Sequence, residues 1–174
     1  PAGGEGAVSR SHADQTVQFR VVDTAVSLEE LVKQLRSAKV ISVDTETTST
    51  DPMRADLVGI SLAVDDEMGY YLPIGHVAPS SSQLSLKEIT TQLAPVLSDP
   101  NIPKVGHNIK YDYIVLTRHG FAVTPLGFDT MIAEWLCNPA SRSLGLKGLA
   151  WARLGLKMTE IETLIGKGKE QRTM

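Results

Sequence analysis

A single cysteine, Cys137, is all that this chain of 174 residues has, so no internal disulfide can form and no cluster of Cys and His with zinc-site spacing is present. Cys137 itself reads as a core residue. No stretch approaches the roughly 18 consecutive apolar residues that cross a bilayer. The opening segment, Pro1 to Gln15, is polar and Gly-rich and has no apolar core of the kind a secretion signal carries. The expectation is a cytoplasmic domain with no membrane partner, preceded by a flexible linker or tail over residues 1–15. No internal repeat occurs. Gly166-Lys167-Gly168-Lys169 lacks the spacing of a phosphate-binding loop, which excludes a nucleoside triphosphatase on that motif.

Excess positive charge is also missing. The formal net charge is −3, which argues against nucleic-acid binding by bulk electrostatics. The charges are unevenly placed, however. Residues 1–100 hold 7 Lys and Arg against 14 Asp and Glu, whereas residues 101–174 hold 10 against 6. Such a split suits an acidic end facing a basic, phosphate-tracking half; a chance distribution fits it equally.

What the chain does have is about 42% hydrophobic residues, enough for one domain with a proper core, here residues 16–174. Thr16 to Val22 alternates as a short strand. Ser27 to Leu35 follows as an amphipathic helix, with Ser27 and Glu30 as a capping box. Lys39 to Thr48 is an apolar, β-branched run ending in alternating acids, which reads as a buried strand delivering carboxylates at its end. Leu57 to Val64 and Gly69 to Ile74 complete an antiparallel meander. Leu84 to Leu97 has helical spacing, and Ile102 to Gly106 is a further short strand. After it everything reads as helical: about Asn108 to His119, a helix capped by Asp129 and running to about Asn138, Leu146 to Leu154, and Thr159 to Ile165. This order predicts a mixed α/β three-layer domain.

Asp44 and Glu46 stand two apart on a strand and therefore share a face, within reach of one cation. Oxygen-only ligands suit hard cations such as Mg²⁺ or Mn²⁺. Two acids solvated at a strand end fit the pattern equally. Asp112, in Val105-Gly106-His107-Asn108-Ile109-Lys110-Tyr111-Asp112, lies at a strand-to-helix junction, where it could join them or serve its own helix.

Taken together, Asp44-Thr45-Glu46-Thr47, Leu57-Val58-Gly59-Ile60-Ser61, the Asn108 to Asp112 run, Phe128-Asp129-Thr130-Met131 and Gly166-Lys167-Gly168-Lys169 resemble, in order, the proofreading 3′-to-5′ exonuclease domain of bacterial DNA polymerase I, a family A polymerase. The resemblance covers about Phe19 to Met174. It implies a ribonuclease H-like three-layer fold with a mixed, roughly five-stranded sheet flanked by helices. It further implies that Asp44, Glu46 and Asp112 are catalytic and, with a fourth Asp, position two divalent cations, Mg²⁺ or Mn²⁺, which clamp the attacking and leaving oxygens of an in-line displacement. Thr47, His107, Asn108, Tyr111 and Arg142 would contact a single-stranded DNA 3′ end, and a polymerase module of the same longer chain would be the partner.

The family's third motif, Tyr-x-x-x-Asp, is absent: four residues after Tyr70, Tyr71, Tyr111 and Tyr113 stand Ile74, Gly75, Val115 and Thr117. The domain is therefore expected to be truncated before that motif and the 174 residues alone inactive. Thr50 and Ile161 replace the family's apolar wedge residues, so wedging is expected to be weaker. A ribonuclease D-like exonuclease and a silent exonuclease-like spacer are the alternatives; the intact acids speak against the second. Lys110, Lys147, Lys167 and Lys169 read first as solvated charges, Tyr111 as core or substrate contact, Asp129 as an N-cap, Trp135, Trp151, Met131 and Met158 as core, and His76 and His119 as surface.

Overall fold

The computed structural model describes residues 18–77 and 82–159. The linker, the helix expected at Thr159 to Ile165 and the Gly166 to Lys169 motif lie outside them, save for Thr159 itself.

Six strands form one mixed sheet: β1 (Gln18–Val21), β2 (Ile41–Thr47), β3 (Leu57–Ala63), β4 (Met68–Pro73), β5 (Lys104–Gly106) and β6 (Leu126–Asp129), in the spatial order β1-β4-β3-β2-β5-β6. β2, β3 and β4 are the expected antiparallel meander. β1 joins β4, β5 joins β2 and β6 joins β5, all in parallel. The sixth strand corrects the expectation of about five. β6 has only four residues, includes Gly127 and runs directly into the cap of the next helix, so no alternation announces it. Gly127 is required by proximity: a Cβ there would fall 2.7 Å from Pro103 Cβ.

The meander has two chemically different faces. Val43, Thr45, Ile60, Leu62, Tyr70 and Leu72 share one face and are buried in the core. Against it pack α1 (Ala25–Ser37), through Leu28, Leu31 and Leu35, and α2 (Leu86–Leu97), through Ile89, Leu93 and Leu97. Fully burying a Leu or Ile is worth about 1.5–3 kcal/mol, so these helical stripes anchor the domain. Ser42, Asp44 and Glu46 on β2, Gly59, Ser61 and Ala63 on β3, and Gly69 and Tyr71 on β4 share the other face. The apolar run of β2 is thus buried on one side only.

Other expectations need correcting. α1 begins two residues early: Thr24, not Ser27, is its N-cap, and Ser27 is the reciprocal member of the capping box. α3 (Lys110–Arg118), α4 (Thr130–Cys137) and α5 (Leu146–Leu149), the last continuing as a π-helical turn over Ala150–Leu154, follow the expected segments. Cys137 is exposed, and so are Trp135 (52%), Trp151 (64%) and Met158; the apolar side of α4 and α5 is uncovered among the described residues. His76 and His119 are half-buried and bonded. His119 Nδ1 donates to the Val115 carbonyl, leaving Nε2 to accept from the Leu57 N–H. No helix among the described residues is long and apolar enough to cross a membrane.

Candidate active site

The site begins with β2. Period-2 geometry places Asp44 and Glu46 on the open face of the sheet, opposite Ser61 and Gly59 of β3. Burial raises the Asp44 carboxyl above its ordinary value, offset in part by the His107 imidazole. Glu46 is raised by burial and by the charge of Asp44. The Asp44 charge thus disfavours ionisation of Glu46, and a cation held between the two would relieve it.

Asp112, in the first turn of α3, approaches β2 from the core side. It is 3% exposed, and its Oδ1 accepts a hydrogen bond of 2.6 Å from Thr45 Oγ1. Burial pushes its carboxyl up to about 6; the Thr45 hydroxyl pulls it down, and the nearby charge of Asp44 pushes it up again. The three expected acids are therefore electrostatically coupled. They do not yet form one cluster: among the described residues no three of His, Cys, Asp and Glu are gathered as metal ligands. In kind the donors fit a hard divalent cation, since all three are carboxylates held in need of positive charge.

The segment between β5 and α3 is set by Asp129. Its carboxylate caps α4 through the N–H groups of Met131 and Ile132, the role expected of it, and also accepts the N–H groups of Asn108 and Ile109. Burial pushes Asp129 up, but these four donors outweigh it and hold the carboxyl below its ordinary value. The second function of Asp129 was not legible, because its partners lie 20 and 21 residues away. Held in this way, Asn108 adopts φ 58°, a left-handed conformation that asparagine tolerates, and its side chain accepts from Lys110 Nζ. His107 Nδ1 lies 2.8 Å from Thr130 Oγ1, while its Nε2 is buried without a hydrogen-bond partner at the edge of a groove of about 410 Å³ lined also by Phe128, Leu146 and Arg153.

Tyr111 is half-buried against the core, and its hydroxyl meets Thr47 Oγ1 at 2.5 Å and the Ser49 carbonyl. Arg118 donates to the Pro52 and Ala55 carbonyls, so both ends of α3 grip the loop that follows the first acids. Sequence reasoning missed Arg118 and Thr45; neither carries a local signal. Thr47 and Tyr111 are thus brought together. Arg142 stands exposed on the segment between α4 and α5.

A mixed sheet whose central strand carries an Asp-x-Glu pair, with a third acid delivered by the following helical layer, defines an α/β domain of the ribonuclease H-like class. Solved structures of that class superpose on it: ribonuclease D of Trypanosoma brucei in complex with RNA U12 (TM-score 0.69, 20% identity, 86% of this chain and 51% of that one) and NrnC of Brucella melitensis with bound Mg²⁺ (TM-score 0.60, 22% identity, 83% and 64%). A family model for the 3′-5′ exonuclease of A-type DNA polymerases matches residues 19–173. The DNA polymerase I of Chloroflexus aurantiacus is 42% identical over 153 residues, which are 87% of this chain and 16% of that protein. The chain belongs to this 3′-5′ exonuclease family. It spans about a sixth of the length of the relatives it matches first.

Proposed function

We propose that this domain removes mispaired 3′-terminal nucleotides from DNA, one at a time, as the proofreading part of a longer polymerase in replication and repair. The observation that carries the reading is the trio of raised carboxyls at one end of β2, two on its open face and one held beneath it by Thr45. Asp44, Glu46 and Asp112 would be three of the four carboxylates that hold two divalent cations, Mg²⁺ or Mn²⁺. When bound, such ions make hydroxide available near neutral pH and stabilise the departing 3′ oxygen.

The chain's own groups do the rest. Asp44 and Glu46 present their carboxylates along one edge of the open face, and Asp112, ionised above about pH 6, supplies the third. Thr47 and Tyr111, already bonded to each other, form a platform of hydroxyl and ring beside the acids. His107 and Asn108 lie on the same junction, and Arg142 would meet a phosphate from the far segment. Stacking and amide contacts of this kind suit a few unstacked nucleotides and not a duplex. With only three of the four carboxylates, these 174 residues by themselves would hold one ion well and cleave little.

Fluorescence anisotropy tests the substrate: single-stranded DNA with a free 3′ end should bind more tightly than duplex, and binding should weaken as salt rises. Tighter duplex binding or indifference to salt would refute the reading. The ribonuclease D likeness favours a second reading, RNA ends, and preference for a matched RNA oligonucleotide in the same assay would select it.

A further inference from the structure

The open face of the sheet carries a polar side chain that the acid set does not use. Tyr71 on β4 is the cross-strand partner of Ser61, and Ser61 is the partner of Asp44, so all three point to the same side. The Tyr71 ring leans along the sheet over Gly59. A Cβ on Gly59 would come within 2.1 Å of the phenol oxygen and 2.4 Å of Cζ. Gly59 is itself the cross-strand partner of Glu46, and antiparallel partners hold their Cβ positions about 4.5–5.5 Å apart. The phenol oxygen therefore fills the place beside Glu46 that a side chain at position 59 would occupy.

A built support holds the ring there. His76 Nε2 lies 2.5 Å from the Tyr71 hydroxyl, and the two rings meet edge to face with centroids 5.7 Å apart. His76 is fixed through its backbone, its N–H donating to Gln83 Oε1 and its carbonyl accepting from Gln83 Nε2, both at 2.9 Å. The N–H groups of Ile74 and Gly75 both donate to the Val58 carbonyl. A Cβ on Gly75 would fall 2.7 Å from the Leu57 carbonyl oxygen, so this loop can lie flat on β3 only with glycine there. An ordinary phenol keeps its proton at neutral pH.

A phenol has one proton to direct, and an ionised carboxylate can only accept. If Nε2 of His76 carries the ring proton and donates it to the Tyr71 oxygen, the phenol proton is free to face Glu46. The other tautomer would turn a lone pair towards a negative charge. We infer that Tyr71, held over Gly59 by His76, is a positioning residue for Glu46, orienting the carboxylate that would take a divalent cation. The inference rests on the exonuclease reading above.

The test compares Tyr71→Phe, His76→Ala and His76→Gln in the complete protein, by Mn²⁺ affinity from paramagnetic resonance and by steady-state degradation of a single-stranded 3′ end. Groups that orient a metal ligand are worth roughly 10–100-fold in affinity or activity. Tyr71→Phe should weaken Mn²⁺ binding about tenfold and lower kcat to match, with KM and melting temperature unchanged. His76→Ala should reproduce this loss, and His76→Gln, whose amide can still donate to the phenol, should retain most of the wild-type affinity. On a Glu46→Gln background Tyr71→Phe should cost no further Mn²⁺ affinity, since the effect passes through Glu46. Affinity and rate within twofold of wild type in Tyr71→Phe, or an additive loss on Glu46→Gln, would overturn the inference. A wild-type protein that binds Mn²⁺ yet degrades no 3′ end overturns the exonuclease reading alone, and a tenfold affinity loss in Tyr71→Phe would still support the positioning role.

Discussion

Replacing Asp112 with Asn should make the metal-free protein more stable at neutral pH. The Asp112 carboxyl is 3% exposed and is raised from 3.8 to about 6, chiefly by burial. The folded state therefore holds this proton more tightly than the unfolded one. The stability linked to it is complete below about pH 3.8 and is lost as pH rises through about 6. Moving a pKa from 3.8 to about 6 corresponds to a ceiling of about 3 kcal/mol lost at pH 7.5. Asn has the same shape, and its Oδ1 can still accept from Thr45 Oγ1, so the variant sheds the buried charge and keeps the bond. For a chain of this size about 1 kcal/mol shifts the midpoint by roughly 2–4 °C, giving a gain of up to roughly 6–12 °C. Thermal unfolding with a chelator present, from pH 3.5 to 8, measures it: wild type and variant should coincide at the acid end and diverge above pH 6. Adding Mg²⁺ should narrow the gap, because a ligand bound only by the folded state stabilises it by about 2.7 kcal/mol at a hundredfold excess over its Kd, and the variant lacks one carboxylate. A variant less stable than wild type at pH 7.5, or a gap independent of pH, would refute the reasoning.

Mn²⁺ binding by the chain, followed calorimetrically, should be lost in Asp44→Ala; equal binding by both proteins would remove Asp44 from the metal set. Thr45→Val should cost about 1–3 kcal/mol in denaturant unfolding at pH 7.5, since it strips a side-chain donor from a buried carboxylate, and the loss should shrink below pH 5 as Asp112 takes up its proton. Asp129→Ala should cost about 2 kcal/mol or more, above the roughly 1 kcal/mol of an ordinary N-cap, because four backbone N–H groups lose their acceptor. In wild type that contribution is present above pH 3.8 and is lost as pH falls through the lowered value of Asp129. Asp112→Ala in the complete protein should abolish release of nucleotides from 3′ ends while the domain stays folded; retained activity would limit Asp112 to its helix.

The parts of this domain that the sequence by itself determined are those governed by local stereochemistry. A strand alternates its side chains, so Asp44 and Glu46 had to share a face wherever β2 was placed. Leu28, Leu31 and Leu35, like Ile89, Leu93 and Leu97, recur at helical spacing and had to form buried stripes. An acid directly before α4 had to cap it. The exact start of α1 was not determined in this way: Ser27 with Glu30 fits a capping box, yet the helix starts after Thr24, with Ser27 as the reciprocal partner. The tertiary structure alone decided everything that joins distant segments. Thr45 and Asp112 are 67 residues apart, and their bond exists because α3 packs on β2. β6 is a strand only because β5 offers it an edge, and Trp135 and Trp151 are exposed because no described element packs over α4 and α5. The lean of Tyr71 over Gly59 depends on a missing side chain on one strand and a histidine loop beyond the next. Such contacts require loop closure and shape complementarity across the whole chain, and no window of neighbouring residues encodes either.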